Sequence, residues 1–307
     1  MNELDDYQTA LAQGYLPIRE VARSTGINPV TLRAWERRYG LVVPHRTPKG
    51  HRLYSAEHVA RIQAILTWLA RGVAVSQIKA LLDQQTPAAA APSNQWDELR
   101  QALLQSIARQ AERQLDEEFN RATALYPPRT LCQQLLLPLF AELEQRWQGG
   151  PFGARLEQVF FHTWLRSKLG SRLQQNNRQH GGAPLLLANL SDQPMEANLW
   201  LCAWLASSAG CPVEVLDGSV PLAELALAVE HSAPRALLLY AGQALDGQQI
   251  RSELPRLNQH CGVPLLLVGP AALIHAEALQ ALPDLHLAPD PLEAERILQQ
   301  QGLLGEA

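Results

Sequence analysis

Residues 28–41 read Asn-Pro-Val-Thr-Leu-Arg-Ala-Trp-Glu-Arg-Arg-Tyr-Gly-Leu, a string that fixes both ends of one short helix. Asn28 belongs to the residue types that cap helix N-termini, and Pro29 suits the first helical position. Gly40 is a usual residue just beyond a helix C-terminus. Between these ends lie three arginines, Arg33, Arg37 and Arg38. The sequence therefore predicts a short helix that carries a concentrated positive charge.

A shorter helix precedes it at helix-turn-helix spacing. Residues 18–22 begin that first helix, and a Thr-Gly-Ile turn follows. In this motif the second helix enters the major groove of DNA with its N-terminus foremost. Thr31 and Arg33 lie near that N-terminus, within reach of base edges or phosphates, and arginine pairs with guanine through two hydrogen bonds. Leu32 and Trp35 are expected in the core.

Residues 44–54 predict a β-hairpin, or wing, because Lys49-Gly50 forms a turn between two short extended arms. Basic side chains on a wing beside a recognition helix grip phosphates or enter the minor groove. The wing holds four of them: Arg46, Lys49, His51 and Arg52. Ser55 then predicts the cap of a third helix, and Ser76 predicts the cap of a fourth helix that runs to residue 82.

Charge separates this basic segment from the rest of the chain. Residues 15–85 carry 11 Lys and Arg against four acids, a net charge of +7, whereas residues 86–307 carry −8. A polyanion is drawn to the first part and repelled by the second. A solvated surface explains the number of charges but not their single sign. The residues predicted to contact DNA are Thr31, Arg33, Arg37, Arg38, Tyr39, Arg46, Lys49, His51, Arg52 and Tyr54.

The rest of the chain divides by composition. Residues 86–94 are rich in Ala and Pro and predict a linker. Apolar residues then recur at three- and four-residue spacing up to about residue 180, and Pro and Gly pairs break this stretch into about four helices. The predicted domains are a DNA-binding domain at 15–85, a linker at 86–94, a helical bundle at 95–180 and a further domain at 181–307.

From residue 184 short apolar runs alternate with helical stretches. Strands are predicted at residues 185–190, 213–216, 236–240, 264–268 and 285–287. Near-continuous apolar strands that alternate with helices indicate a parallel sheet covered on both faces. Five such units predict a flavodoxin-like, doubly wound domain. The fold class is thus multi-domain α plus α/β: a winged helix-turn-helix, a helical bundle and a doubly wound parallel sheet.

Residues 16–82 resemble the MerR family of winged-helix transcription regulators. The resemblance rests on Thr-Leu-Arg-Ala-Trp-Glu-Arg-Arg-Tyr-Gly-Leu at residues 31–41 and Gly-His-Arg-Leu-Tyr at residues 50–54. It implies a dimer on a pseudopalindromic promoter site. The chain departs from metal- and drug-sensing members, in which one long dimerisation helix follows the DNA-binding domain.

The complete layout resembles the light-sensing cobalamin regulators of carotenoid genes (CarH type) and, more closely, their relatives without the cofactor (MlrA type). The cobalamin module of such proteins carries Asp-x-His-x-x-Gly after the first strand, and its imidazole ligates cobalt. Here the corresponding residues are Asp192-Gln-Pro-Met-Glu-Ala197. Pro194 stands in place of the histidine, and proline offers no lone pair to a metal. No cofactor is therefore expected, although cobalamin without histidine ligation stays open.

The same resemblance implies a Trp, with Glu-His ten residues later, over the upper face of the cofactor. Trp147 and Glu157 keep that spacing, but Gln158 replaces the histidine. His162 lies one turn further on, and a lone helical histidine is more often a packed or surface residue. Val268-Gly269 keeps part of a glycine pattern that would line the nucleotide tail. The possible effector pocket is thus formed by Trp147, Glu157, His162, Asp192 and Gly269.

The leading interpretation is a sequence-specific transcription regulator. Its partners would be double-stranded promoter DNA, further copies of itself as a homodimer or higher oligomer, and RNA polymerase indirectly. The C-terminal half could serve oligomerisation, bind another small molecule, or hold cobalamin without histidine. One alternative is a cobalamin-dependent light sensor, and another is an enzyme with a DNA tether. The enzyme alternative lacks a GxGxxG, P-loop or GxSxG motif, so no catalytic residue is assigned.

The remaining sequence features predict a cytoplasmic protein without metal or membrane. The acidic N-terminus is unlike a signal peptide, and the strongest apolar run, residues 199–206, is too short to span a bilayer. The four cysteines are scattered, and none shares a CxxC pair or a Cys/His cluster with zinc-site spacing. They are expected to be buried, reduced thiols.

Overall fold

The computed structural model describes residues 10–11, 14–83 and 95–305. The chain divides into two compact units, Met1–Glu157 and Gln158–Ala307. The predicted linker at residues 86–94 lies outside the described residues. Within the described ranges, every helix is too short or too polar to cross a bilayer.

The first unit begins with the helix-turn-helix. Strand β1 (Leu16–Pro17) leads into helix α1 (Ile18–Thr25), and helix α2 (Pro29–Ala34) continues directly into a π-helical turn, Trp35–Tyr39. The predicted ends are confirmed. The Asn28 side chain accepts a hydrogen bond from the Val30 N–H at 2.8 Å, and Gly40 follows the last turn with a φ of 57°. A positive φ of this kind favours glycine, because a Cβ would crowd the backbone there.

The wing follows as predicted, with one additional strand. Strands β2 (His45–Arg46) and β3 (Arg52–Tyr54) pair antiparallel, and β1 pairs with the other side of β3. Two residues are too few to show a strand pattern, so β1 could not be predicted. Helix α3 (Ala56–Ala70) is capped by Ser55, as predicted. Helix α4 (Val75–Asp83) begins one residue before Ser76, so the prediction that Ser76 caps it was wrong.

The bundle consists of four rods. The first two are α5 (Gln95–Ala108) and α6 (Glu112–Leu125). The third is one continuous segment made of α7 (Pro128–Leu131), π-helical Cys132–Leu136 and α8 (Leu137–Trp147). The fourth is α9 (Ala154–Asn177). The division of α9 between the two compact units falls after Glu157. Within the first unit, α5 packs against α6 and α8 through buried leucines and phenylalanines, as their three- and four-residue spacing requires.

The winged head is docked on the bundle within the first unit. The Trp35 indole N–H donates to the Leu125 carbonyl oxygen at 2.8 Å, at the end of α6. The Trp96 indole N–H donates to the Gly72 carbonyl oxygen at 2.9 Å, between α3 and α4. Both bonds are buried and join residues far apart in sequence. The head and the bundle therefore share one packed interface.

The second unit is a doubly wound sheet. Its strands are β4 (Leu185–Asn189), β5 (Val213–Ser219), β6 (Ala236–Tyr240), β7 (Leu265–Val268) and β8 (Leu285–Ala288). All paired strands are parallel, in the order β5-β4-β6-β7-β8, which is the flavodoxin-like order. The predicted sheet is confirmed.

Four longer helices cover the sheet: α10 (Ala197–Ser208), α11 (Leu222–Ser232), α12 (Leu254–His260, after π-helical Gln249–Glu253) and α15 (Pro291–Gln300). Between β7 and β8 lie two short helices, α13 (Pro270–Ile274) and α14 (Ala276–Leu279). Helix α10 packs beside α15, and α11 beside α12. The four cysteines are buried, as expected.

Candidate nucleic-acid interface

Helix α2 presents one exposed face. Val30 is 54% exposed, and Arg33 and Arg37 are also exposed. Their spacing of three and then four residues places all three side chains on the same side of the helix. Val30 occupies the second helical position and Arg33 the fifth, so the face begins at the N-terminal end that helix-turn-helix proteins insert into DNA.

The opposite face of α2 is buried against helix α6. Thr31, Leu32 and Trp35 are 1%, 2% and 0% exposed. Leu32 and Trp35 were expected in the core, and they lie there. The predicted DNA contact of Thr31 was wrong, because its side chain points into the packed side of the helix. This burial could not be predicted from local sequence, since α6 lies some 80 residues further along the chain.

Glu36 joins the recognition helix to the wing. Its carboxylate accepts hydrogen bonds from Arg46 Nη2 and from Arg52 Nε, each at 2.6 Å, on the two paired wing strands. The Glu36 side chain is only 10% exposed. Burial raises the pKa of this carboxyl, but the hydrogen bonds and charges of Arg52 and Arg46 outweigh that effect and hold the pKa below its usual range. Glu36 is thus a fixed anion inside a basic head.

This clamp changes the roles of two predicted contacts. The Arg52 side chain is 19% exposed and bound to Glu36, so it braces the base of the wing. The Arg46 side chain is 51% exposed and keeps part of its guanidinium on the surface. Arginine has five N–H donors in a planar fork, so Arg46 can hold Glu36 and still donate outward.

The other residues predicted to contact DNA differ in how exposed they are. Arg38, Lys49 and His51 are exposed, and Tyr39 is half-buried. A hydrogen bond closes the turn at the tip of the wing, where the Thr47 hydroxyl accepts from the His51 N–H at 3.1 Å. Tyr54 is 1% exposed, and burial together with the charge of Glu36 raises its pKa to about 12. Its predicted contact with DNA was therefore wrong, because Tyr54 is a core residue below the wing.

A histidine pair lies at the base of the wing, and the sequence reasoning missed it. The rings of His45 and His58 are 5.8 Å apart between centroids, and Tyr54 stands edge-on to His58. His58 Nδ1 accepts from the Ser55 N–H at 3.1 Å, while the His58 N–H donates to Ser55 Oγ at 3.3 Å. Burial, and next the neighbouring His45, lower the pKa of His58. The spacing Ser-x-x-His resembles a capping box with histidine in the position of the usual Glu or Gln.

In the second unit, the loop after β4 is held by an arginine. Arg166 Nη2 donates to the Pro194 carbonyl oxygen at 2.6 Å, and Arg166 Nε lies 2.6 Å from Asp217 Oδ2 at the end of β5. Asp217 Oδ1 accepts from the Trp200 indole N–H at 3.0 Å. A single guanidinium therefore connects helix α9, the β4–α10 loop and strand β5.

Buried polar groups complete this end of the sheet. Asn189 is fully buried at the end of β4, and its Nδ2 donates to the Asp217 carbonyl oxygen at 3.0 Å. Asn189 Oδ1 accepts from the Ser191 N–H at 2.9 Å, and the Ser191 hydroxyl donates to Glu196. A Cβ on Gly242 would lie 2.6 Å from Glu196 Oε1, so a larger residue there would displace the Glu196 carboxylate.

The predicted effector residues divide between the two units: Trp147 and Glu157 lie in the first, and His162, Asp192 and Gly269 lie in the second. The Trp147 indole N–H donates to Glu157 Oε1 at 3.1 Å, so these two predicted residues bind each other. His162 is half-buried and follows Phe161 on α9, and Asp192 is exposed. Gly269 has a φ of 104°, and a Cβ there would lie 2.7 Å from the Ala241 carbonyl oxygen. The glycine thus permits close packing of two strand ends.

The residues around Pro194 do not fit a histidine-ligated cobalamin. Such a cofactor needs an imidazole at this loop, and the carbonyl of Pro194 is already an acceptor for Arg166. In the part of the chain that the structure describes, no group of three or more His, Cys, Asp or Glu could hold a metal ion.

Comparison with known proteins gives two kinds of relative. The family of MerR helix-turn-helix regulatory proteins matches residues 16–85. The transcriptional regulator MlrA of Escherichia coli (strain K12) is 33% identical over 228 residues, which cover 74% of this chain and 88% of that protein. The transcriptional repressor CarH of Myxococcus xanthus is 26% identical over 287 residues, covering 89% of this chain and 94% of that protein.

A solved structure is also similar to this chain. The methanol:cobalamin methyltransferase complex MtaBC from Methanosarcina barkeri aligns with 78% of this chain and 93% of its own, at 15% identity and a TM-score of 0.35. The family match over the winged head and the identity to MlrA along most of that protein are the findings that decide the relationship. The chain belongs to the MerR family of helix-turn-helix regulatory proteins and is a DNA-binding transcriptional regulator.

Proposed function

We propose that this regulator recognises a specific sequence of double-stranded promoter DNA, with α2 in the major groove and the wing on the backbone. One observation carries the proposal: the arginine face of α2 is exposed while the opposite face is buried against the bundle. A docked head of this kind holds its reading face outward. Little conformational entropy is therefore lost when the head binds DNA, which favours affinity.

Electrostatics support the same arrangement. The net charge of +7 in residues 15–85 attracts the phosphate backbone, and residues 86–307, at −8, repel it. The protein is thus oriented before contact, with the head toward DNA. Arg33, near the N-terminus of α2, takes the base-reading role, and Arg37 and Lys49 take phosphate roles.

We further propose that the regulator acts as a homodimer or higher oligomer on a pseudopalindromic site and affects RNA polymerase indirectly. The support is the family relationship, in which such sites are implied. Promoter binding also places the working protein in the cytoplasm with the DNA. We propose no enzymatic activity, since the relatives at 33% and 26% identity are named transcriptional regulators.

The C-terminal half is proposed to serve oligomerisation or effector sensing without histidine-ligated cobalamin. The support is the Arg166 bridge, which fixes the β4–α10 loop by protein contacts alone. The test is to mix the purified protein with adenosylcobalamin in the dark and pass it through gel filtration. We expect a colourless protein fraction. A red fraction that keeps its colour would overturn this part of the proposal and favour the cobalamin-sensing alternative.

Arg33→Ala tests the central proposal. We expect it to weaken binding to the preferred promoter fragment more than binding to random duplex, because a base contact contributes to discrimination. Each lost bidentate contact corresponds to about a 10- to 100-fold reduction in discrimination. The matched control is Arg113→Ala, an arginine in α6 whose side chain is 93% exposed. Equal weakening on all sequences by Arg33→Ala would contradict the base-reading role.

A further inference from the structure

One apolar side chain lies on the cationic reading face. Val30 is 54% exposed and precedes Arg33 by three residues on the same side of α2. Arg33 and Arg37 lie on the same face, and Val30 is more than half exposed beside them. A valine contributes nothing to phosphate binding, because its side chain has neither charge nor hydrogen-bond donor.

The position of Val30 limits what it can contact. It is the second residue of α2, directly after Pro29, and the Asn28 side chain fixes its backbone N–H at 2.8 Å. The N-terminal turn of a recognition helix lies deepest in the major groove. Among the base edges exposed there, the one apolar group is the C5-methyl of thymine.

We infer that Val30 is a specificity-determining residue that contacts the C5-methyl of a thymine close to the base pair read by Arg33. This inference rests on the proposed function, in which α2 enters the major groove. The β-branched side chain is stiff, so its two methyl groups hold one position and fit a methyl at one place in the site. Val30 and Arg33 together would read adjacent base pairs, one through apolar contact and one through hydrogen bonds.

A comparison within the head supplies the control. Val43 is 64% exposed but lies beyond the end of α2, outside the face of Val30 and Arg33. Val30→Ala and Val43→Ala remove the same two methyl groups from exposed positions. Both variants should unfold at the wild-type temperature within about 2 °C, since exposed substitutions change stability little.

The experiment uses the full chain and a duplex selected from a random-sequence library. Each thymine in one half of the selected site is replaced in turn by deoxyuridine, which removes only the methyl group. For the wild type, one replacement should weaken binding about fourfold, the factor that corresponds to one buried methyl group. With Val30→Ala the same replacement should have no further effect, whereas Val43→Ala should behave as the wild type.

The outcomes separate this inference from the proposed function. If the wild type selects no sequence from the library, the proposed function fails. If it selects a site but no deoxyuridine replacement weakens binding, the inference alone fails. The inference also fails if the replacement and Val30→Ala weaken binding independently, so that their effects multiply. Non-additivity at one thymine supports the contact, because the two changes then remove the same interaction.

Discussion

At the scale of single residues, Glu36 decides how the head is assembled. Its carboxylate holds Arg46 and Arg52 from both wing strands, so three charged groups from three elements form one cluster. Two of the basic residues that looked like DNA ligands are therefore partly used inside the protein. The positions of Arg33 and Arg37 on the reading face then depend on a clamp centred on Glu36, which lies between them in sequence.

Glu36→Gln should loosen the wing. The amide keeps the size of the side chain but loses the charge that two guanidinium groups share, and charge-assisted hydrogen bonds contribute about 1.5–3 kcal/mol. We expect the free energy of unfolding to fall by about 1–2 kcal/mol, measured by urea denaturation. The matched control is Glu20→Gln. Its partner Arg23 is 3.4 Å away, both side chains are exposed, and almost no loss is expected.

The same variant carries a pH signature. Because the folded-state pKa of Glu36 is lowered, its stabilisation is complete above the ordinary glutamate pKa of about 4.3 and is lost as the pH falls below it. Wild type and Glu36→Gln should therefore differ most at neutral pH and converge in acid. A constant difference from pH 7 to pH 3 would contradict the clamp as an ionic contact.

Residue types and helical spacing were enough to predict the arginines on the reading face. They could not predict which residues of the basic segment are buried. Arg33 and Arg37 follow from the caps and from helical spacing. The burial of Thr31 and Tyr54 could not be predicted, because a residue in a basic segment can face either solvent or the protein core. Helix α6 packs against α2, and local sequence cannot report which distant helix covers a short one.

At the scale of elements, the start of α3 depends on the protonation state of a histidine. The His58 ring accepts the Ser55 N–H through Nδ1, so the cap needs this nitrogen unprotonated. The lowered pKa of His58 means that the native state resists protonation. Stability is then highest above the ordinary histidine pKa of about 6.5 and declines as the pH falls from there through the folded-state pKa.

His58→Gln should remove this decline. Glutamine accepts the same N–H in a capping box but does not titrate. We expect the urea midpoint of His58→Gln to equal that of the wild type at pH 8 and to exceed it at pH 5. His58→Ala, which has no acceptor, should be less stable at pH 8 by about 1 kcal/mol. Parallel pH profiles for wild type and His58→Gln would contradict this role.

Most helices and strands could be predicted from local sequence patterns, but the packing of the winged head against the bundle could not. Apolar runs predicted the five strands of the sheet, and helical spacing predicted the four rods of the bundle. The Trp35–Leu125 and Trp96–Gly72 bonds join residues 90 and 24 positions apart, and each acceptor is a backbone carbonyl. Carbonyls are present at every position, so no residue pattern marks them.

Trp35→Phe tests that docking. It keeps an aromatic ring but leaves the buried Leu125 carbonyl without its donor, which should lower the free energy of unfolding by about 1–3 kcal/mol. The control is Trp147→Phe, which loses the same N–H at a half-buried position facing Glu157. Water can replace that bond, so its loss should be smaller. Equal losses in the two variants would contradict a buried contact between head and bundle.

At the scale of the whole molecule, residues 15–85 carry a net charge of +7 and residues 86–307 a net charge of −8. Binding of the cationic segment to DNA should therefore depend steeply on salt concentration. Each phosphate that a protein neutralises on duplex DNA adds about 0.9 to the slope of log K against log salt. This relation counts contacts over the complete assembly. A residue that touches one phosphate per chain therefore reports how many chains bind.

Arg37→Ala uses this relation to test the proposed dimer. If two chains bind a pseudopalindromic site, each loses one phosphate contact, and the slope should become shallower by about 1.8; a single bound chain should change it by about 0.9. The measurement is a titration of the selected duplex by fluorescence anisotropy at several potassium chloride concentrations. Arg113→Ala, on the exposed surface of α6, should leave the slope unchanged. A change of about 0.9 for Arg37→Ala would exclude two equivalent heads on the site, and no change would remove Arg37 from the phosphate contacts.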